Sequence, residues 1–332
     1  MHHSKSWAKP GAVWAAAALA AGLTWATGGA NAQTNYPTQP VKIVAANTAG
    51  TAVDVLSRVL AHRLPPHLGQ QAVVENRPGG GGAIGADAVA RSAPDGYTVL
   101  VISPPLMAIT PHLRSNLPYD PFKSFIPVTL FAATDGILVG NPKSPATSVK
   151  NAIEFAKKNP GKLKMAHAGI GFQNHLANLM FVSRTGINVL QVAYKGAAGT
   201  QSVAAGETDL AFATVPSALP AIRAGTLLPL GIGAMKRSTI LPDAPTIHEA
   251  GVENFVSNGW TGLAVPAGTP PEVVKKLSEA VRKALAEPET QEMLRRAGGE
   301  PWGTTPEQAM VEIKKESDLY GKVIKEHNIS LK

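Results

Sequence analysis

The sequence predicts an α/β protein with mostly parallel sheets, and three observations carry that prediction. Short apolar, β-branched runs alternate with runs in which apolar residues recur at helical spacing. The apolar fraction is 44% against 16% charged residues, a balance that supports a packed core rather than a disordered chain. The first 32 residues stand apart as a secretory signal: Lys5 and Lys9 precede an uncharged stretch over 11–26, which closes on Ala30-Asn31-Ala32. Cleavage after Ala32 is the expectation, giving a soluble periplasmic form that begins at Gln33. A membrane anchor needs about 20 uninterrupted apolar residues, and Thr24, Thr27 and the glycines interrupt this one.

The elements then follow in order. Residues 41–45 form a β-branched strand, and Val53, Leu56, Leu60 and Leu64 mark the helix after it. A strand over 72–75, a helix over 83–91, a turn at Pro94-Asp95-Gly96 and an apolar strand over 97–102 come next. The alternation resumes with a strand at 137–139, a helix at 149–158 and a strand at 164–167. A helix at 176–184, strand at 190–193, helix at 201–205 and strand at 210–213 complete it. Residues 271–286 repeat Val273, Val274, Leu277, Val281 and Leu285 behind Pro270-Pro271, which predicts an amphipathic helix on the flank. Strand–helix alternation argues for βαβ units, and in such sheets ligands bind beyond the carboxyl ends of strands.

Four loops at those ends hold the candidate residues. The loop 46–54 runs from a strand through Ala46, Asn47, Thr48, Ala49 and Gly50 into a helix capped by Thr51, with Asp54 in its first turn. Free N–H groups at such a helix start favour an anion, although the same residues suit an ordinary strand-to-helix turn. Gly80, Gly82 and Gly85 satisfy G-x-G-x-x-G, but four successive glycines do so by chance and a tight turn is the plainer reading. The loop 168–175 offers Gly169, Gly171, Phe172, Gln173 and His175, of which the histidine equally suits a structural role. The loop 194–199 carries Lys195, an anion partner or simply a solvated lysine.

Other classes of function find little support. There is no cysteine, so disulfides, thiol nucleophiles, Cys-ligated metals and lipoprotein anchoring are excluded. His248-Glu249 meets Val252 where a zinc motif needs histidine, and no G-x-S-x-G elbow occurs. The formal charge is +8, or +6 without Lys5 and Lys9, with no basic block. That balance argues against nucleic acid and for a modest field attracting small anions. No cofactor, metal or catalytic residue is expected.

An ordered set of segments then resembles one family. Tyr36-Pro37, Pro40-Val41-Lys42-Ile43-Val44, Val73-Val74-Glu75-Asn76-Arg77-Pro78-Gly79 and Ala93-Pro94-Asp95-Gly96-Tyr97-Thr98 open it. Leu117-Pro118-Tyr119-Asp120-Pro121, Tyr194-Lys195-Gly196 and Pro216-Ser217-Ala218-Leu219-Pro220 continue it. Leu241-Pro242-Asp243-Ala244-Pro245-Thr246 and Pro266-Ala267-Gly268-Thr269-Pro270 complete it, across nearly the whole mature chain. The pattern resembles the Bug/TctC family of periplasmic substrate-binding proteins of tripartite tricarboxylate transporters. The resemblance implies a two-lobed, type II-like Venus flytrap that binds and does not catalyse. It would capture a small carboxylated solute as a monomer and deliver it to integral membrane permease subunits. An exported hydrolase-like enzyme and a chemosensory binding protein without a permease are the alternatives. Lobe one is expected over 33–128 plus 262–332, lobe two over 129–261.

The resemblance also implies a site, with the ligand carboxylate on the loop after the first strand. Ala49, Gly50 and Thr51 would offer backbone, Asp54 would brace the loop or hold a water, and Ser103 would reach the same face. Gly171, Phe172, Gln173 and His175 would close from the other lobe. Departures from the family pattern shape the ligand. Ala46-Asn47 stands where the family has Pro-Phe, and His167, Ala168, Phe172 and Gln173 replace a serine-rich loop. Ala213 follows Phe212 where an aspartate is usual. Small hydroxyls and a carboxylate are lost while Asn47 and Phe172 are gained, which favours a mono- or dicarboxylate with an apolar or aromatic body. Amino acids fit poorly, since only Asp54 remains to pair an ammonium.

Overall fold

The computed structural model describes residues 1–3, 35–170, 172–194 and 198–330. The chain divides into two units, Met1–Tyr36 and Pro37–Lys332, and the architecture below is that of the second. The signal-peptide reading rests almost wholly on residues 4–34, outside the described ones.

Eleven strands form two sheets in the described residues. The first six in the chain are β1 (Val41–Ala45), β2 (Ala72–Asn76), β3 (Thr98–Ile102), β4 (Phe125–Thr134), β5 (Gly136–Gly140) and β6 (Lys164–His167). The rest are β7 (Leu190–Ala193), β8 (Leu210–Thr214), β9 (Leu228–Ile232), β10 (Gly259–Pro266) and β11 (Glu300–Pro301). A six-stranded sheet has the order β11-β4-β10-β3-β1-β2, and a five-stranded sheet the order β7-β6-β8-β5-β9. The strands linked through helices pair in parallel: β1 with β2 and β3, and β6 with β7 and β8. Pairs involving β4, β5, β9, β10 and β11 are antiparallel. The sheets are therefore mixed where the alternation predicts mostly parallel pairing. Four of these strands, β4, β5, β9 and β10, flank the two places where the chain passes from one sheet to the other and back.

The chain changes sheets at Asp135, between β4 and β5, and again between β9 and β10. The expected lobe limits at 128/129 and 261/262 fall inside β4 and β10, because these strands stay hydrogen-bonded in the six-stranded sheet to their ends. The two crossings lie backbone against backbone. A Cβ on Gly136 would collide with the Ser257 carbonyl, and one on Gly259 would come 2.7 Å from Thr134 Oγ1. Only glycine permits that approach.

Each sheet has its own core. Val44, Leu100, Ile102, Leu130 and Trp260 pack beneath the six-stranded sheet. Phe181, Phe212 and Phe255 form an aromatic triangle under the five-stranded one, with centroids 5.3–6.0 Å apart. Such pairs add about 0.5–1.5 kcal/mol each beyond their buried area. The helix Pro271–Ala286 buries Val273, Val274, Leu277, Val281 and Leu285, as its spacing predicts, and contacts β4.

The C-terminal helix Pro306–Glu326 belongs to both cores. Thr305 caps it: its Oγ1 accepts from the Gln308 N–H at 3.2 Å, and Gln308 Oε1 accepts from the Thr305 N–H at 2.9 Å. Ala309 and Ile313 enter the six-stranded core, whereas Tyr320, Val323 and Ile324 enter the five-stranded one. Packing therefore does not follow the expected assignment of all of 262–332 to lobe one.

Candidate functional site

A cavity of about 670 Å³ lies between the loops at the carboxyl ends of β1, β6 and β8. Its first wall begins where β1 ends. Thr51 caps the helix Ala52–Arg63, accepting from the Asp54 N–H at 3.4 Å while its hydroxyl donates to the Thr48 carbonyl at 3.0 Å. Beneath the loop Asp54 is buried and fully engaged. It accepts from the Gly50 N–H at 2.9 Å, from Arg58 Nε at 3.1 Å and from Asn76 Nδ2 at 2.8 Å. Burial alone would push the Asp54 carboxyl up, but the bonds from Arg58, Gly50 and Asn76 outweigh it and hold it below the usual carboxylate range. Arg58 also donates to Asn76 Oδ1 at 2.7 Å, and Asn76 to the Asn47 carbonyl at 3.2 Å. Loop, helix and β2 are thus one knot.

The Gly50 N–H is turned inward by this knot. Ala49 and Ala52 line the cavity, and neither N–H has a hydrogen-bond partner among the described residues. Those are among the open donors of the first wall.

The second wall is built on β6 and β8. Gly169 donates to His167 Nδ1 at 3.2 Å, and Ala168 to Asn174 Oδ1 at 3.2 Å, which fixes the turn after β6. Phe172 stands at the N-terminal boundary of the helix Gln173–Thr185, lines the cavity and is 48% exposed. Phe212 and Ala213 continue the wall, followed by Thr214 and Ser217, which cap the helix Val215–Arg223. No charged side chain of a described residue lines the cavity, and among the described residues no cluster of three metal-ligating side chains occurs.

Of the sequence-predicted site residues, Ala49, Gly50, Thr51, Phe172, Gln173 and Ala213 come together around the cavity. Asp54 and Asn47 sit behind the loop rather than on its surface. Ser103 is buried at the end of β3, where its carbonyl accepts from the N–H groups of Leu106 and Met107, and Pro105 takes the place at the cavity. His175 points away from the cavity, with its ring 4.4 Å from that of His167. It is buried, and burial with the neighbouring His167 pushes its imidazole down to about 4. Gly171 lies outside the described residues. Sequence reasoning missed Thr48, Asn174, Thr200, Gln201, Thr214 and Ser257 at the cavity. Thr214 had a signal, the Thr-x-x-Ser spacing of a helix cap directly after a strand.

Two sheets joined by crossing strands around a cleft fed by strand ends are the architecture of periplasmic solute-binding proteins, and the family and solved structures that match are binding proteins rather than enzymes. The chain belongs to the tripartite tricarboxylate transporter family receptor family, whose model matches residues 56–329. It is 34% identical to protein BugT of Bordetella pertussis over 299 residues, 90% of this chain and 92% of that one. A solved structure described as a periplasmic transporter is 38% identical, with TM-score 0.82 over 90% of this chain and 100% of its own. The R. palustris protein Rpa4515, solved with adipate, is 33% identical with TM-score 0.82 over 89% and 99%. Among the described residues no helix is long and apolar enough to cross a membrane.

Proposed function

We propose that the protein captures a small mono- or dicarboxylate with an apolar or aromatic body and hands it to integral membrane permease subunits. The observation that carries this reading is the pairing of the two walls. Ala49 and Ala52, whose N–H groups have no partner among the described residues, line a cavity that Phe172, Phe212, Ala213 and polar side chains also line. Aimed N–H dipoles at a helix start stabilise a carboxylate without a salt bridge, and a bridging water costs at most ~2 kcal/mol. The apolar wall then takes the body of the ligand. Adipate in Rpa4515 is such a molecule, two carboxylates on an aliphatic chain.

The two sheets serve as the two lobes, and the paired crossings at Asp135 and 257–259 as the hinge between them. Export through the signal at 1–32 and work as a soluble periplasmic monomer complete the reading. A thermal-shift screen of adipate, benzoate, phenylacetate and malate tests it. A ligand at 100 times its Kd adds about 2.7 kcal/mol of stability. No response to any carboxylate, with a response to amines or neutral sugars, would overturn it.

A further inference from the structure

One side chain joins the cleft to the C-terminal helix. Gln173 lines the cavity from the five-stranded side, and its amide reaches the crossing before β10 and the C-terminal helix. Nε2 donates to the Asn258 carbonyl at 2.7 Å, in the crossing just before β10, and to the Tyr320 hydroxyl at 3.4 Å. Tyr320 lies one helical turn after Glu316, whose carboxyl accepts from the indole N–H of Trp260 in β10. Burial pushes the Glu316 carboxyl up to about 8, which favours the protonated acid at neutral pH.

The crossing held by Gln173 is otherwise incompletely bonded. Ser257 Oγ and Asn258 Oδ1 are shut off from solvent without a partner among the described residues. Buried polar atoms of this kind favour any rearrangement that satisfies them. The helix Pro306–Glu326 is meanwhile anchored in both cores, on either side of Glu316. A change in the angle between the sheets must therefore bend or slide this helix at the point where Gln173 meets it.

We infer that Gln173 is a positioning residue, a clasp that sets the angle between the two lobes and passes contact with a ligand in the cleft to the crossing at Asn258 and to Tyr320. This rests on the reading of the cleft as the ligand site. A ligand group that draws the Gln173 amide toward itself competes with Asn258 and Tyr320 for the same two protons, and so releases the clasp. Ligand affinity and lobe angle are then linked through one side chain.

The chain has no cysteine, so Lys157→Cys and Lys276→Cys place single spin labels on exposed helices of the two sides. Pulsed dipolar distances on the full chain without added ligand are compared with those of the same pair carrying Gln173→Ala or Tyr320→Phe. The clasp predicts a broader or displaced distribution for Gln173→Ala and a smaller change of the same sense for Tyr320→Phe. An unchanged distribution in Gln173→Ala overturns it, since a residue that merely packs would leave the lobe distance alone. Circular dichroism of each variant identifies a misfolded one, and Gln173→Glu then replaces Gln173→Ala: it keeps the shape and removes the donated protons. Adipate added to the same samples separates the two claims. A ligand-free shift without any adipate or benzoate response leaves the clasp standing and counts against the ligand reading alone.

Discussion

The two walls of the cleft are held by different means. The wall at 48–54 is a knot of hydrogen bonds: Asp54 takes four of them from Gly50, Arg58 and Asn76, and Arg58 and Asn76 also bond each other. The wall at 168–174 rests on turn bonds from Ala168, Gly169 and Phe172, on the bonds of Gln173 to Asn258 and Tyr320, and on a buried pair of histidines, and presents a half-exposed phenylalanine. The braced wall keeps backbone donors in fixed directions, which suits a group shared by every carboxylate. The other wall presents shape and apolar area, which suits the part of the ligand that varies.

Cutting the knot has the largest expected effect. Asp54→Ala leaves the Gly50 N–H without its acceptor and should cost about 1–3 kcal/mol of stability, with carboxylate binding lost to calorimetry. Wild-type binding in that variant would mean the loop needs no bracing. A carboxylate facing the cavity comes next. Ala213→Asp should weaken adipate or benzoate at least tenfold, about 1.4 kcal/mol, without altering the fold, since Ala213 borders open space. Phe172→Ser follows, with about 1–3 kcal/mol lost for an aromatic or long-chain ligand and melting temperature nearly unchanged. Equal losses for a short hydroxylated acid such as malate would break the division of labour between the walls.

Acid separates the walls without mutation. His175 and His167 are neutral in the fold and have depressed pKa values, mainly through burial. The unfolded chain binds their protons first, so their contribution to stability is lost as pH falls from about 6.5 toward about 4 for His175. Asp54 is depressed as a carboxylate, so its contribution holds to lower pH and goes only below the ordinary carboxylate value near 3.9. Hydrogen exchange at falling pH, corrected for intrinsic rate, should therefore open 168–176 before 48–54. The opposite sign applies at Glu316. Its raised pKa makes the fold hold a proton that the unfolded chain releases, so stability falls between the ordinary glutamate value and about 8. Glu316→Gln should flatten that slope, which is at most ~1.4 kcal/mol per pH unit.

Much of this was legible in the residues. Val41 to Ala45 and Thr98 to Ile102 are β-branched and unbroken, and the cap at Thr51 marks the first wall without help from the fold. The crossing strands were not legible. β4 contains Pro127 and β10 contains Gly259 and Gly262, residues that weaken a strand signal, and the pairing of β4 with β10 around bulges supplies what the local sequence lacks. The helix Pro306–Glu326 went unread although Thr305-Pro306-Glu307-Gln308 is a capping box with proline at the first position. Side-chain direction was the other limit. Asp54 and His175 lie beside the right loops, yet one is turned under its loop and the other into its core, which spacing along the chain does not specify.

The central claim is that the ligand carboxylate rests on the open N–H groups of Ala49 and Ala52, while the body of the ligand lies on Phe172. Amide ¹H–¹⁵N spectra during titration with adipate, and separately with benzoate, test it most directly. The account predicts that the amides of Ala49 and Ala52 move far downfield with both ligands, whereas shifts around Phe172 differ between the two. Saturable binding with the Ala49 and Ala52 amides unmoved would contradict it.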